Sequence, residues 1–275
     1  MKIINCKGSL IDLSSPKVMG IINRTPDSFY DGGKLKTDKN ILTQAETMLT
    51  QGATFLDVGG YSSRPDASDV VEDEELRRVV STVKTILEQF PEALISIDTF
   101  RSRIANEALK NGAAIINDIS AGTLGNNMLK VVAAHQVPYI MMHMRGTPKT
   151  MQQQTDYDNL VHDILHYFSE KITFAQSHHI HDIIIDPGFG FAKTLQQNYQ
   201  LLNKLELFQT FKTPFLVGVS RKSMIYKLLQ SSPKEALNGT TALHAVALMK
   251  GASILRVHDV KEAVECVQLL RELKS

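Results

Sequence analysis

The sequence of 275 residues lacks an excess of either charge, since 30 Lys and Arg residues against 29 Asp and Glu residues leave a net charge of +1 at pH 7. A protein that binds nucleic acid or an anionic membrane surface usually carries a strongly basic face, so neither partner is expected. No apolar stretch approaches the roughly 18 residues that a membrane-spanning helix needs. The first residues, MKIINCKGSL, lack the apolar core of a signal peptide. We therefore expect a cytoplasmic protein.

Cysteine and linker sequences are also scarce. Cys6 and Cys266 are far apart and match no metal-binding or redox spacing, so two free thiols in a reducing compartment are expected. No Pro-, Gly- or Ser-rich linker and no low-complexity block divides the chain, so residues 1–275 are predicted to form a single domain. The glycine fingerprint of a dinucleotide-binding fold is missing, because Gly32-Gly33 lies well past the end of the first apolar run.

Short apolar runs recur along the chain, and none alternates apolar with polar residues. They lie at residues 18–22, 54–58, 94–97, 114–116, 138–142, 183–185, 214–219 and 253–257. Continuous runs favour parallel strands that are covered on both faces. The segments between them have a helical period, as at residues 40–51 and 72–90. Eight strand–helix units in about 250 residues predict a (β/α)8 TIM barrel, which a short N-terminal hairpin or flap precedes.

Every apolar run ends on polar residues. These are Asn23, Asp57, Asp98, Asn117-Asp118, His143, Asp186, Ser220-Arg221-Lys222 and, around Val257, Arg256 and His258. A single carboxylate at such a position is more often a helix N-cap than a catalyst. Eight polar ends out of eight indicate more, because the C-terminal ends of barrel strands meet at one mouth, where the active sites of this fold lie. The pattern predicts a binding cavity there.

The charges at this mouth are expected to form two sectors. The second, third, fourth and sixth runs supply acids and an amide, which suit the N–H groups of a flat, nitrogen-rich ring. The first, seventh and eighth runs supply Asn23, Lys222, Arg256 and His258, which suit a phosphate. First and last strands of a closed barrel are neighbours, so the second group should form one cationic sector. A nitrogen-rich heterocycle with a phosphate tail fits both.

The motifs at these strand ends resemble those of the dihydropteroate synthase family over nearly the whole chain. The matching stretches, in order, are MGIINRTPDSFYDGG (19–33), DVGGYSSRP (57–65), SIDTFR (96–101), INDISAG (116–122), MHMRGTPKTMQ (142–152), DPGFGFAKT (186–194), SRK (220–222) and RVHDV (256–260). The resemblance implies a transferase of folate biosynthesis. Such an enzyme joins 6-hydroxymethyl-7,8-dihydropterin diphosphate to 4-aminobenzoate and releases diphosphate and 7,8-dihydropteroate. It also implies small-molecule substrates, Mg²⁺ as cofactor, a homodimer and a sulfonamide target.

The resemblance also implies roles for individual residues. Asp186 and Asn117 would bind the amino edge of the pterin, and Lys222 would donate to its carbonyl oxygen. Asp98 would offset the positive charge that develops as diphosphate departs, and Arg256 would lie along the ring and reach the phosphate. Asp98, Lys222 and Arg256 are therefore the expected catalytic residues.

The remaining roles that the resemblance implies concern binding of the diphosphate and of the second substrate, 4-aminobenzoate. Substrate-binding roles fall on Asn23, Ser63 and His258, and Asn23 is also the expected Mg²⁺ ligand. The 4-aminobenzoate pocket would be lined by Phe29, Ser63, Arg64, Pro65 and Ser220. Whether Asp57 and His143 act directly is left open.

The chain departs from the family's commonest pattern at three positions. Arg24 replaces a small aliphatic residue, Ser63 replaces threonine, and Asp66-Ala67 follow Arg64-Pro65 where glycine is common. Two alternatives therefore stay open. One is a pterin-binding methyl-transfer barrel that uses a methylated folate and a corrinoid partner, and the other is a non-catalytic pterin-binding paralogue in which Arg24 has disabled the first loop.

Overall fold

A computed structural model describes residues 2–24, 37–61 and 70–273. The chain opens with an antiparallel hairpin of β1 (Ile3–Cys6) and β2 (Ser9–Asp12), in which Ile3 pairs with Asp12 and Cys6 with Ser9. The predicted N-terminal hairpin is confirmed.

Eight parallel strands follow, one for each predicted apolar run. They are β3 (Lys17–Asn23), β4 (Phe55–Gly59), β5 (Leu94–Asp98), β6 (Ile115–Asp118), β7 (Tyr139–Met142), β8 (Ile183–Asp186), β9 (Leu216–Val217) and β10 (Ile254–Val257). Their order in the sheet is β8-β7-β6-β5-β4-β3-β10-β9. A bridge between Ile185 and Phe215 joins the two end strands. The strands therefore close into the predicted barrel.

Helices connect successive strands on the outside of the barrel. They are α1 (Asp38–Thr50), α2 (Glu72–Gln89), α3 (Ser102–Lys110), α4 (Met128–His135), α5 (Leu160–Ser177), α6 (Leu195–Asn203), α7 (Ser223–Tyr226), α8 (Leu237–Met249) and α9 (Val260–Glu272), with 3₁₀ helices at Met151–Gln153 and Leu205–Phe211. Local sequence explains several ends. Thr37 caps α1 by accepting from the Asn40 N–H, and Thr194 and Gln197 form a reciprocal capping box on α6. Across the part of the chain that the structure describes, no helix is long and apolar enough to span a bilayer.

The core has two main layers. The larger lies between the strands and the surrounding helices. The smaller fills the barrel interior at the end where the strands begin, and there Ile4 and Cys6 of the hairpin pack with residues such as Met19 and Phe55. The Asn5 N–H also donates to the Asp182 carboxylate beside the start of β8, at 2.7 Å. The hairpin therefore covers one end of the barrel, and the opposite end, where the strands stop, carries the polar residues.

Candidate active site

The predicted polar strand ends meet at one end of the barrel. Parallel register places Asn23 beside Gly59, Gly59 beside Asp98, and Asp98 beside Asn117. Asp186 ends β8 and pairs with Met142 of β7. Lys222 and His258 follow β9 and β10. The expected convergence on a single mouth is confirmed.

An arginine joins the two charge sectors that the sequence pattern keeps apart. Arg256 Nε donates to Asp57 Oδ2 at 2.6 Å, and its Nη2 donates to Asp98 Oδ2 at 2.7 Å. Asn117 Nδ2 donates to the same Asp57 oxygen at 3.1 Å. The expectation of a separate cationic sector is thus corrected for Arg256. Its long side chain leaves β10 and reaches across the mouth, and backbone position alone does not reveal this reach.

Two opposing effects act on the protonation of Asp98. Burial raises the pKa of Asp98 to about 7, with Arg256 opposing this shift and the Asp57 carboxylate adding to it. The ion pair with Arg256 therefore favours the carboxylate form, against the effect of burial.

Asp186 is held by the loop that follows its own strand. The Gly188 N–H donates to Asp186 Oδ1 at 2.8 Å. Gly188 has φ +73, and a Cβ there would lie 2.1 Å from the His143 carbonyl oxygen, so only glycine fits this turn. Burial raises the pKa of Asp186, with Lys222 chief among the groups that oppose the shift. One carboxylate oxygen is thereby fixed, and the second accepts no hydrogen bond from the described residues.

Lys222 lies against the same loop. Its Nζ donates to the Phe189 carbonyl oxygen and lies 4.7 Å from the centre of the Phe191 ring. Burial lowers the pKa of Lys222 to about 8, although Asp186 opposes this. Its neighbour Arg221 has a different role, because it forms a bidentate pair with Asp259 at 2.7 and 2.8 Å. Lys222 therefore belongs to the mouth and Arg221 to the scaffold.

Ser220 and His258 form a small pair at the ends of β9 and β10. The Ser220 hydroxyl lies 3.1 Å from His258 Nδ1 and accepts the His258 backbone N–H, also at 3.1 Å. Asn23 lies on the other side of β10. A Cβ on Gly59 would meet Asn23 Oδ1 at 3.5 Å and Asp98 Oδ2 at 3.9 Å. The Asn23 and Asp98 side-chain oxygens thus both lie next to Gly59.

A single side-chain oxygen such as that of Asn23 is the kind of protein ligand that suits Mg²⁺. Mg²⁺ keeps several waters and is commonly bound through one or two protein oxygens together with substrate phosphates. Within residues 2–24, 37–61 and 70–273, no group of three His, Cys, Asp or Glu side chains could hold a metal ion. The Asn23 amide oxygen is a suitable hard ligand for a metal that arrives with a phosphate.

Comparison with known proteins agrees with this geometry. Residues 19–258 match the model of a family described as pterin binding enzyme. Dihydropteroate synthase of Escherichia coli K12 is 45% identical over 271 residues, which cover 98% of this chain and 95% of that protein. The chain belongs to the dihydropteroate synthase family. The family match spans almost every strand end described above.

Solved structures of family members agree as well. A Yersinia pestis dihydropteroate synthase in complex with a sulfonamide drug superposes with a TM-score of 0.94 at 41% identity, covering 99% of this chain and 98% of that one. A Xanthomonas albilineans dihydropteroate synthase with 4-aminobenzoic acid gives a TM-score of 0.91 at 36% identity, with 99% and 98% covered. The fold is therefore the family fold.

The departure from the family's pattern at Arg24 has a structural explanation. Its side chain leaves the mouth and reaches between α1 and α2. There Nη2 pairs with Asp38 at 3.1 Å, and Nη1 donates to the Ser81 and Thr82 hydroxyls at 3.0 and 3.2 Å. Arg24 therefore does not fill the cavity. The other predicted loop residues, Phe29, Ser63, Arg64 and Pro65, lie outside the described residues.

Some residues of this region escaped the sequence analysis. Lys193 lies within the motif DPGFGFAKT, which assigns it no role, yet it is buried and its Nζ lies 3.1 Å from His143 Nδ1. His143 is buried too, and burial lowers its pKa well below the usual range. Asp57, left open, is fully buried and anchors Arg256. A lysine is usually exposed, so residue type alone does not predict that Lys193 is buried. Its place in the motif DPGFGFAKT was the only sequence signal for it.

Proposed function

We propose that the chain is a dihydropteroate synthase of folate biosynthesis, which joins 6-hydroxymethyl-7,8-dihydropterin diphosphate to 4-aminobenzoate. The observation that supports this function best is the single polar mouth of the barrel. It presents an available oxygen of Asp186 at one side and Asn23, Arg256 and His258 at the other. A donor-rich pterin with an anionic tail matches both ends of this arrangement.

The pterin ring is bound by its edges. Asp186 accepts from the 2-amino group and N3–H through its second oxygen, while Gly188 holds the first. The bond from Asn117 to Asp57 fixes the rotation of the Asn117 amide beside that edge. Lys222 keeps two further N–H donors beyond the one that Phe189 accepts, and one of them reaches the pterin carbonyl oxygen.

The chemical step breaks the bond between the pterin methylene carbon and the diphosphate oxygen. The electron pair leaves with diphosphate, and the methylene carbon carries positive charge that the ring shares. Asp98 in its ionised form lies against that charge, and Arg256 holds the Asp98 carboxylate in place at 2.7 Å. The amine nitrogen of 4-aminobenzoate then attacks the methylene carbon and loses a proton.

The diphosphate is bound by Asn23, Arg256 and His258, with Ser220 orienting the histidine ring through their 3.1 Å contact. Asn23 would hold Mg²⁺, whose charge makes diphosphate a better leaving group when the metal is bound. Ser63 is assigned to substrate binding as well. Phe29, Ser63, Arg64, Pro65 and Ser220 are proposed to line the 4-aminobenzoate pocket.

A homodimer is part of this proposal. Helix α8 (Leu237–Met249) carries no Asp, Glu, Lys or Arg along its 13 residues. Met249 at its end and Leu269 on the adjacent α9 are exposed. An apolar outer face of this kind suits a second copy of the chain. Light scattering of the purified protein should give twice the chain mass. The cytoplasmic location and the single-domain organisation stay predictions.

One assay separates this function from the two alternatives. Purified protein is given pterin diphosphate, 4-aminobenzoate and Mg²⁺, and diphosphate release is followed with each component omitted in turn. A synthase releases diphosphate and forms 7,8-dihydropteroate when all three are present. A methyl-transfer barrel releases none but binds a methylated folate, and a non-catalytic paralogue binds pterin and releases none. The Arg24 side chain turns away from the mouth and pairs with Asp38, which supports the synthase over the non-catalytic paralogue.

A further inference from the structure

Lys193 is a buried cation directly beneath the mouth. Only 4% of the residue is exposed. Its Nζ donates to the Gly188 carbonyl oxygen at 2.9 Å and to the Phe191 carbonyl oxygen at 3.0 Å, and it lies 3.1 Å from His143 Nδ1. An ammonium group has three protons and therefore needs three acceptors when buried. This one has all three, so its charged form is fully hydrogen-bonded.

The contacts of Lys193 fix the loop that follows the pterin-binding carboxylate of Asp186. Gly188 is held on both sides, since its carbonyl accepts from Lys193 and its N–H donates to Asp186 at 2.8 Å. The next carbonyl along the loop, that of Phe189, accepts from Lys222 instead. The two lysines thus bind three carbonyl oxygens of residues 188–191, Lys193 those of Gly188 and Phe191 and Lys222 that of Phe189.

The charges around Lys193 make its own charge sensitive to pH. Burial lowers the pKa of Lys193 to about 7; Asp186 opposes this, and Lys222 and Arg145 add to it. His143, on the strand beside it, has its own pKa lowered far enough by burial to stay neutral and accept. Below pH 7 the ammonium donates to all three acceptors, and above it one of those donors is lost.

We propose that Lys193 is a positioning residue for pterin binding, whose ammonium holds residues 187–192 in the conformation that aims Asp186 at the pterin. The residue does not touch the ligand itself. It acts through Gly188, which it draws against the end of β7, and through its charge, which favours the ionised form of Asp186. The proposal rests on the proposed function, because it assumes that pterin binds at Asp186.

The test measures the affinity for 6-hydroxymethylpterin by calorimetry at pH 6, 7, 8 and 9. Wild type is compared with Lys193→Met, which removes the charge and keeps the side-chain volume. Lys193→Gln is the second variant and keeps a polar group should the methionine variant fail to fold. Lys250→Met is the matched control, because Lys250 pairs with Glu206 outside the mouth. Circular dichroism and melting temperature report folding for each protein.

The ratio of the variant Kd to the wild-type Kd separates the causes. Titration of Asp98, Lys222 and the pterin itself affects both proteins and largely cancels in this ratio. We expect a ratio on the order of 10 to 100 at pH 6, the factor that one lost hydrogen bond to a charged group corresponds to. The ratio should be smaller at pH 9, where the wild type has lost one of its three N–H donors and keeps the other two. Lys250→Met should match wild type throughout.

Two results would overturn the inference. A ratio near 1 at pH 6 would mean that the loop orients Asp186 without Lys193. A large ratio that stays constant from pH 6 to pH 9 would mean that the loss of the ammonium charge has no effect on pterin binding. Failure of the wild type to bind pterin at any pH would instead remove the proposed function, and the inference with it.

Discussion

Asp186→Asn is the substitution for which the structure fixes the outcome most closely. An asparagine side chain can place its oxygen or its nitrogen at either position of the replaced carboxylate. Here the Gly188 N–H, 2.8 Å from Asp186 Oδ1, requires an acceptor at that position. The amide oxygen must therefore replace Oδ1, and the NH₂ group must face the ligand. It then opposes the N–H groups of the pterin.

The expected magnitude follows from this forced orientation. A buried donor without an acceptor costs about 1–3 kcal/mol, which corresponds to a roughly 5- to 150-fold loss of affinity. The fold should be preserved, because the bond to Gly188 survives. Lys222 and Arg256 also lose a counter-charge at the mouth, since Asp186 favours the charged form of both. The loss of affinity should therefore lie in the upper half of this range.

The assay is calorimetry with 6-hydroxymethylpterin, and the chain supplies its own control. Asp182→Asn makes the same chemical change beside the opposite end of β8, where Asp182 accepts from the Asn5 N–H. The control should bind pterin like wild type, and Asp186→Asn should bind it 5- to 150-fold more weakly at an unchanged melting temperature. Equal affinities for wild type and Asp186→Asn would refute the assignment of Asp186.

Three further predictions concern stability and the second substrate. Burial lowers the pKa of His244 to about 4 from its usual 6.5, so the stability that the neutral imidazole contributes above pH 6.5 is lost as the pH falls. Urea unfolding should show a free energy of unfolding that falls by about 2 kcal/mol between pH 7 and pH 5 because of this group. The His244→Leu variant should lack this part of the loss. Arg221→Met leaves the Asp259 carboxylate, 10% exposed, without its bidentate partner and should cost about 3–5 kcal/mol. Lys222→Met should cost less stability and abolish activity, and similar unfolding energies for the two variants would contradict the separate roles of these neighbours. Finally, 4-aminobenzoate should bind more tightly when pterin and Mg-diphosphate are present, with a coupling of about 1–3 kcal/mol; calorimetric titrations that give one affinity in both conditions would argue for independent sites.

The fold was predictable because its strands are buried on both faces. Such strands read as continuous apolar runs, and each run predicted a strand of the barrel. The seventh was the least accurate. The run at 214–219 predicts six residues, but β9 covers only Leu216–Val217, since Phe215 forms a single bridge to β8. The buried apolar run is therefore longer than the paired strand at this position.

The positions of the site residues were predictable, but their pairings were not. Sequence order places Asn23, Asp98 and Asp186 at the strand ends because parallel strands end together. The long side chains of Arg256, Lys193 and Arg24 have several rotatable bonds, so their charged groups lie far from the Cα atoms that topology fixes. Arg256 turns toward the carboxylates, Lys193 turns into the core, and Arg24 turns outward to Asp38. Each direction is decided by packing between elements distant in sequence.

The central claim is that one mouth holds the pterin by its amino edge and the diphosphate at the opposite side. A crystal structure of the protein with the pterin diphosphate substrate and Mg²⁺ tests this most directly. We expect the 2-amino and N3–H groups within hydrogen-bond distance of the Asp186 carboxylate, with the diphosphate against Asn23, Arg256 and His258. A pterin bound with its amino edge away from Asp186, or a diphosphate at the hairpin end of the barrel, would contradict it.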